Sequence, residues 1–258
     1  MERVYRALEA TAGAIFTAQA VDLRDRGLAN IPASGGGVVV VNHTSYTDFI
    51  PVGLVLRRAG RRARFLVKSE LTEHAVMRYL VKRTRSVPVD RSVGADAYRA
   101  AVDALRSGEL IAVYPEATLS RSFELKEFKS GAVRMAAESG APVIPVIVWG
   151  AQRQWSKGTR RRLGRHRLPI HVEIGSPVTF AADTDPHDGS ARLRTIMEEM
   201  LHRVQADYPD APAGADWVPA RLGGAAPTSE EALVIEDSEA RAKAVRRAAK
   251  RDQKGNRG

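Results

Sequence analysis

The chain has 258 residues, 44% of them apolar, enough to bury the core of one ample α/β domain or two small ones, and it has no cysteine, which excludes disulfides, thiolate metal sites and cysteine nucleophiles. A formal net charge of +10 calls for an anionic partner, and composition alone does not choose among nucleic acid, an anionic membrane surface and a phosphorylated substrate. No run reaches the roughly 18 uncharged apolar residues of a spanning helix, and the N-terminus lacks a signal-peptide core, so the cytoplasm is the expected compartment.

Residues 1–24 are predicted as an N-terminal amphipathic helix. Val4, Leu8, Ile15 and Phe16 fall largely on one side, with Arg3, Arg6 and Glu9 toward the other. Such a helix either docks on the body or lies in a membrane interface. Apolar β-branched runs then alternate with amphipathic segments. Strands are expected at 38–42, 64–68, 86–90, 110–114, 143–149 and 170–175, and helices at 48–57, 72–83, 95–106, 130–139 and 190–206. Gly108 and Gly140 stand where helix C-caps belong. The strands read as short continuous apolar runs, as in a sheet covered on both faces. The alternation predicts an α/β fold, a mostly parallel central sheet flanked by helices, over 25–221. Residues 222–258 lose their aromatics, turn to Ala, Glu, Lys and Arg, and are expected to form a disordered basic tail.

The run Asn42-His43-Thr44-Ser45-Tyr46-Thr47-Asp48 follows Val38-Val39-Val40-Val41 directly. It sets an imidazole five residues before a carboxylate, at the end of a buried strand. Neither a helix nor a strand would bring those side chains together at that offset. A turn between them would, and the Thr/Ser/Thr content permits one. A histidine oriented by an aspartate is the general-base part of a catalytic triad without its own nucleophile. Such a site deprotonates a hydroxyl or amine that the substrate brings.

Further polar clusters follow the later strands. The second strand ends in Lys68, and Val87-Pro88-Val89-Asp90 leads into Arg91. The fourth ends in Tyr114-Pro115-Glu116-Ala117-Thr118, followed by Arg121 and by Phe128-Lys129-Ser130-Gly131-Ala132 opening a helix. Next comes Val143-Ile144-Pro145-Val146. In this order the sequence resembles the glycerolipid acyltransferases of the PlsC type, the lysophospholipid acyltransferase superfamily. There an H-x4-D motif precedes a motif ending in Arg, a Pro-Glu-Gly-Thr-Arg motif and a Val-Pro strand. The resemblance covers about 38–150 and implies a glycerol-3-phosphate acyltransferase-like fold.

It also implies transfer of a fatty acyl group from acyl-CoA or acyl-carrier protein, as co-substrate, to the free hydroxyl of a lysophospholipid acceptor such as 1-acylglycerol-3-phosphate. His43 would be the general base and Asp48 its orienting partner. Lys68, Arg91, Glu116, Thr118, Arg121 and Lys129 would be substrate-binding residues. Backbone N–H groups near 86–89 are oxyanion-hole candidates, although Pro88 has none to give. No resident cofactor and no metal is expected. The chain departs from the family where Ala117 replaces Gly and Leu119 replaces Arg, with Arg121 two positions late. Alanine enters left-handed backbone less freely than glycine.

The stretch 153–167 carries Lys157, Arg160, Arg161, Arg162 and Arg165 with Trp155 and no acidic residue. Cations near anionic lipid gain about 1 kcal/mol each, and tryptophan favours the interface. The expectation is therefore a peripheral protein on the cytoplasmic face of the cell membrane, touching its anionic surface. The alternatives are acyl transfer to another lipid acceptor such as a glycolipid, or a non-catalytic lipid- or nucleic-acid-binding protein. Nucleic acid is not expected, because the basic stretches lack regularly interleaved aromatics.

Overall fold

A computed structural model describes residues 2–89, 94–209 and 211–255. Seven strands form one sheet in the order β1-β7-β6-β2-β5-β3-β4. They are β1 (Asp22–Arg26), β2 (Gly37–Val41), β3 (Ala63–Lys68), β4 (Val87–Val89), β5 (Leu110–Val113), β6 (Val143–Trp149) and β7 (Pro169–Ile174). All neighbours pair in parallel except β6 and β7. The helices are α1 (Glu2–Ala18), α2 (Phe49–Arg58), α3 (Ala75–Thr84), α4 (Gly94–Arg106), α5 (Gly131–Ser139), α6 (Pro186–Ala206) and α7 (Ser229–Gly255). The chain divides into two compact units, Met1–Leu119 with Leu125–Asp210, and Ser120–Glu124 with Ala211–Gly258. The sheet and the helices α1 to α6 belong to the first.

Strand β2 lies between β6 and β5, and Val38 to Val41 are wholly buried. Burying each valine on both faces stabilises the fold by about 1.5–2 kcal/mol relative to exposure. That is why this run is a central strand. On one face Val39 and Val41 pack with Phe16 of α1 and with Val52, Val55 and Leu56 of α2. Helix α5 contacts both α4 and α6, and α4, α5 and α6 lie against β5, β2 and β6 respectively. Gly140 caps α5 at φ 70°, as the sequence suggested.

Three features differ from the sequence reading. Strand β1 was not expected, and it crosses the boundary placed at residue 24. It is an edge strand, Asp-Leu-Arg-Asp-Arg, with alternate residues exposed, so it lacks the apolar run of an inner strand. Helix α1 is docked, and Glu9 lies on its buried side, not its polar one. Phe16 is in the core, and the Glu9 carboxylate takes Arg62 at 2.7 and 3.0 Å. The segment expected to be a disordered tail carries α7. A reciprocal capping box starts it: Thr228 N–H donates to Glu231 (2.8 Å) and Glu231 N–H to Thr228 Oγ1 (3.2 Å). An Asp237–Arg241 pair at 2.6 Å adds local support in place of an apolar face. No helix among the described residues is long and apolar enough to cross a membrane.

Candidate active site

Strands β6, β2, β5, β3 and β4 run parallel, so the loops after all five leave the sheet at one edge. Ligands collect at that edge in open α/β sheets. His43 follows β2 and Glu116 follows β5, its direct neighbour. The loop beyond β6, on the other side of β2, supplies Gln154 to Ser156.

Asn42 fixes where the histidine loop begins. Its buried carboxamide acts as one more rung of the ladder, donating to Val148 O (3.0 Å) and accepting from Val148 N–H (2.7 Å). The chain then turns around Asp48. One carboxylate oxygen, Oδ2, accepts the N–H groups of Thr44 (2.9 Å) and Ser45 (2.8 Å) and lies 3.1 Å from His43 Nδ1. The turn the spacing required is therefore wound on the carboxylate itself. Asp48 is wholly buried, and its other oxygen has no hydrogen-bond partner among the described residues. Burial raises its carboxyl above the ordinary range, while His43 and the two N–H donors pull it back. A carboxylate only accepts, so Nδ1 carries the hydrogen and Nε2 keeps its lone pair. The histidine side chain is 22% exposed, so a substrate can reach it. An imidazole held this way can take a proton from a bound hydroxyl.

Tyr114 and Glu116 close the site from β5. The Tyr114 ring stacks on the imidazole with centroids 4.1 Å apart and planes 22° from parallel. That contact limits ring rotation. Glu116 is buried, and its two oxygens take N–H groups from two loops, His43 at 2.8 Å and Lys126 at 3.2 Å. Burial lifts its carboxyl to about 8, against those two donors and the Lys126 charge. Between them Ala117 adopts a left-handed backbone, φ 59°, with its N–H on Tyr114 O at 3.1 Å. The loop thus takes a conformation that glycine would enter without strain.

The anticipated cations separate. Lys68 ends β3 at the same edge; the expectations for its side chain, and for Arg91, lie outside the described residues. Arg121 belongs to the second unit, where its guanidinium pairs with Glu239 of α7. Lys129 is exposed, its N–H on Pro115 O at 2.9 Å. Thr118 Oγ1 accepts from Lys126 Nζ at 2.8 Å. Of the oxyanion candidates, the Ser86 N–H is already taken by Val81 O at 3.0 Å.

Sequence reasoning missed Lys126 and the latch after β6. Ser156 Oγ donates to Thr44 O (2.5 Å), Ser45 Oγ to Trp155 O (2.8 Å) and Tyr46 N–H to Trp155 O (3.1 Å). Two stretches about 110 residues apart in sequence thus hold one loop. The only signal in the sequence was the cluster of polar side chains after an apolar strand. A cavity of about 600 Å³ lies elsewhere, lined by Phe16, Leu23, Leu54, Arg57 and Arg58, and includes none of the residues around His43. Among the described residues no three His, Asp or Glu side chains gather as a metal site.

A family model described as Acyltransferase matches residues 22–149, from the first residue of β1 to the last of β6. Over that stretch, just under half of its length, the chain is similar to the acyltransferase family. It is 28% identical over 180 residues to a Bacillus subtilis protein named 1-acyl-sn-glycerol-3-phosphate acyltransferase, covering 68% of this chain and 83% of that one. A Neisseria meningitidis protein of the same name is 25% identical over 195 residues, 68% of this chain and 71% of that one. A chloroplastic relative from Brassica napus is 28% identical over 165 residues, 61% of this chain, which spans only 47% of that relative's length. The crystal structure of the Thermotoga maritima 1-acyl-sn-glycerophosphate acyltransferase, PlsC, superposes with a TM-score of 0.66 over 81% of this chain and 83% of that one, at 23% identity. At that identity the match bears on the fold, and it agrees with the mostly parallel sheet.

Proposed function

We propose that this protein moves a fatty acyl group from an acyl thioester, acyl-CoA or acyl-carrier protein, to the free hydroxyl of a lysophospholipid such as 1-acylglycerol-3-phosphate. The observation that carries the reading is the His43–Asp48 contact at the sheet edge, with Nε2 left for the substrate. The activity for which the Bacillus subtilis and Neisseria meningitidis relatives are named supports the acceptor class.

In this reading His43 Nε2 takes the proton as the acceptor oxygen attacks the thioester carbonyl. Asp48 stabilises the imidazolium, and the stacked Tyr114 ring keeps it in place. When the tetrahedral intermediate collapses, the C–S bond breaks and the proton passes from His43 to the departing thiolate. No acyl-enzyme forms, because the nucleophile belongs to the substrate.

The acceptor and donor chains start in a bilayer, and the loop after β6 suits contact with an anionic one. Arg160, Arg161, Arg165 and Arg167 are exposed, and Arg161 lies 4.1 Å over the Trp155 ring. Trp155 in turn sits beside the exposed Tyr46, centroids 4.8 Å apart. Peripheral attachment to the cytoplasmic face follows from this reading.

The test is to offer the full chain palmitoyl-CoA with a panel of lysolipids, following thiol release and identifying products by mass spectrometry. Phosphatidate formed from lysophosphatidate is the expected result. Thiol release only with a glycolipid acceptor would move the assignment to that class, and no release with any acceptor would refute acyl transfer. Sedimentation with anionic but not zwitterionic vesicles is expected for the membrane contact; equal binding to both would overturn it.

A further inference from the structure

We propose that Lys126 grips the phosphate of the acceptor, supplying the cation that the loop after β5 lacks at Leu119. The inference rests on the acyl-transfer reading and adds to it the residue that selects a phosphorylated acceptor.

The loop after β5 presents no charge of its own at that point, since Leu119 is 4% exposed and turned into the core. Arg121, next along the chain, has its guanidinium on Glu239 and a side chain only 13% exposed. Lys126 is placed differently. Its backbone N–H donates to Glu116 Oε2 at 3.2 Å, and Glu116 Oε1 accepts His43 N–H at 2.8 Å. One buried carboxyl group therefore fixes the loop bearing the ammonium and the loop bearing the imidazole. A hydroxyl at His43 and a phosphate at Lys126 are the two ends of one small acceptor headgroup.

The side chain completes the arrangement. Lys126 Nζ donates to Thr118 Oγ1 at 2.8 Å and is partly exposed. The Thr118 oxygen accepts from lysine, so its own hydrogen points away from the ammonium. An ammonium and a hydroxyl side by side suit the oxygens of a phosphomonoester, which take short charge-assisted hydrogen bonds. Burial favours the protonated form of Glu116, so that carboxyl does not cancel the neighbouring positive charge at neutral pH. A phosphate on the thioester donor would share the chemistry, so the test must separate acceptor from donor.

The experiment compares wild type with Lys126→Met, which keeps the apolar stem without the charge, and Lys126→Arg, which restores a cation. KM is measured separately for lysophosphatidate and for palmitoyl-CoA, with circular dichroism on each variant. Removing one charge-assisted contact predicts a rise of about 10- to 100-fold in the lysophosphatidate KM of K126M. Little change is expected in the palmitoyl-CoA KM, and K126R should recover most of the loss. An unchanged lysophosphatidate KM in an active K126M overturns the proposal and leaves acyl transfer standing. A rise in the palmitoyl-CoA KM instead, or a fall in kcat with both KM values unmoved, overturns it too, making Lys126 a donor contact or a loop support. Wild type that acylates no lysolipid removes the acyl-transfer reading, and this inference with it.

Discussion

Glu116→Gln changes one atom at the junction of two loops. Both carboxyl oxygens accept backbone N–H groups, from His43 and Lys126, inside a site where the side chain is 4% exposed. Glutamine can satisfy one of them; its NH₂ must face the other, leaving a buried donor unpaired. Such a loss costs about 1–3 kcal/mol, so E116Q should be destabilised by about that amount near pH 5. The cost should also depend on pH. The folded carboxyl holds its proton up to about 8, whereas its ordinary value is 4.5. A group raised in the folded state contributes its full stability below its unfolded pKa and loses it as pH rises through the folded one. Wild type should therefore lose up to about 1.4 kcal/mol per pH unit across that window, and E116Q, which has nothing to titrate there, should not. Urea denaturation of both proteins from about pH 5 to about pH 8 measures the gap; three pH units at that slope amount to about 4 kcal/mol, so the gap should close and then reverse as pH rises. A gap that widens would mean that the folded site holds the carboxylate, stabilised by its N–H donors, and that burial does not dominate.

Ala117→Gly removes a left-handed alanine, worth about 1–2 kcal/mol, against about 0.5–1 kcal/mol of added unfolded-state entropy. A net gain of about 0.5–1 kcal/mol in urea is expected; destabilisation would mean that the methyl group packs usefully. Asn42→Ala leaves the Val148 N–H and C=O without a partner at the end of β2. A loss of about 2–4 kcal/mol should follow, and a loss under about 0.5 kcal/mol would show that the carboxamide is dispensable. Asp48→Asn preserves an oxygen for the Thr44 and Ser45 N–H groups but removes the charge facing His43. Thiol release should fall by about 10²–10⁴ with the fold retained, whereas wild-type turnover would deny Asp48 any electrostatic role.

The parts of the fold legible in the sequence are those whose burial is local and continuous. Val38 to Val41 announce a central strand because both faces are covered, and the His43-to-Asp48 spacing announces a turn because no regular structure joins those side chains. Strand β1 was illegible because an edge strand with charged outward residues resembles a loop. Helix α7 rests on a capping box and a side-chain pair, signals that an apolar-face search passes over. Glu9 shows the opposite failure: its buried position depends on Arg62, 53 residues away, and no helical wheel contains that partner. Lys126 and Ser156 are similar, since each reaches the site through the tertiary fold. At Ala117 the doubt raised by a missing glycine has a definite answer, a left-handed residue carrying the strain.

The most direct test of the chemistry replaces His43 alone. With circular dichroism unchanged, His43→Ala should release thiol from palmitoyl-CoA in the presence of lysophosphatidate about 10²–10⁴ times more slowly than wild type. Turnover at the wild-type rate would mean that the proton leaves the acceptor hydroxyl by some other group, and the account built on the imidazole would be wrong.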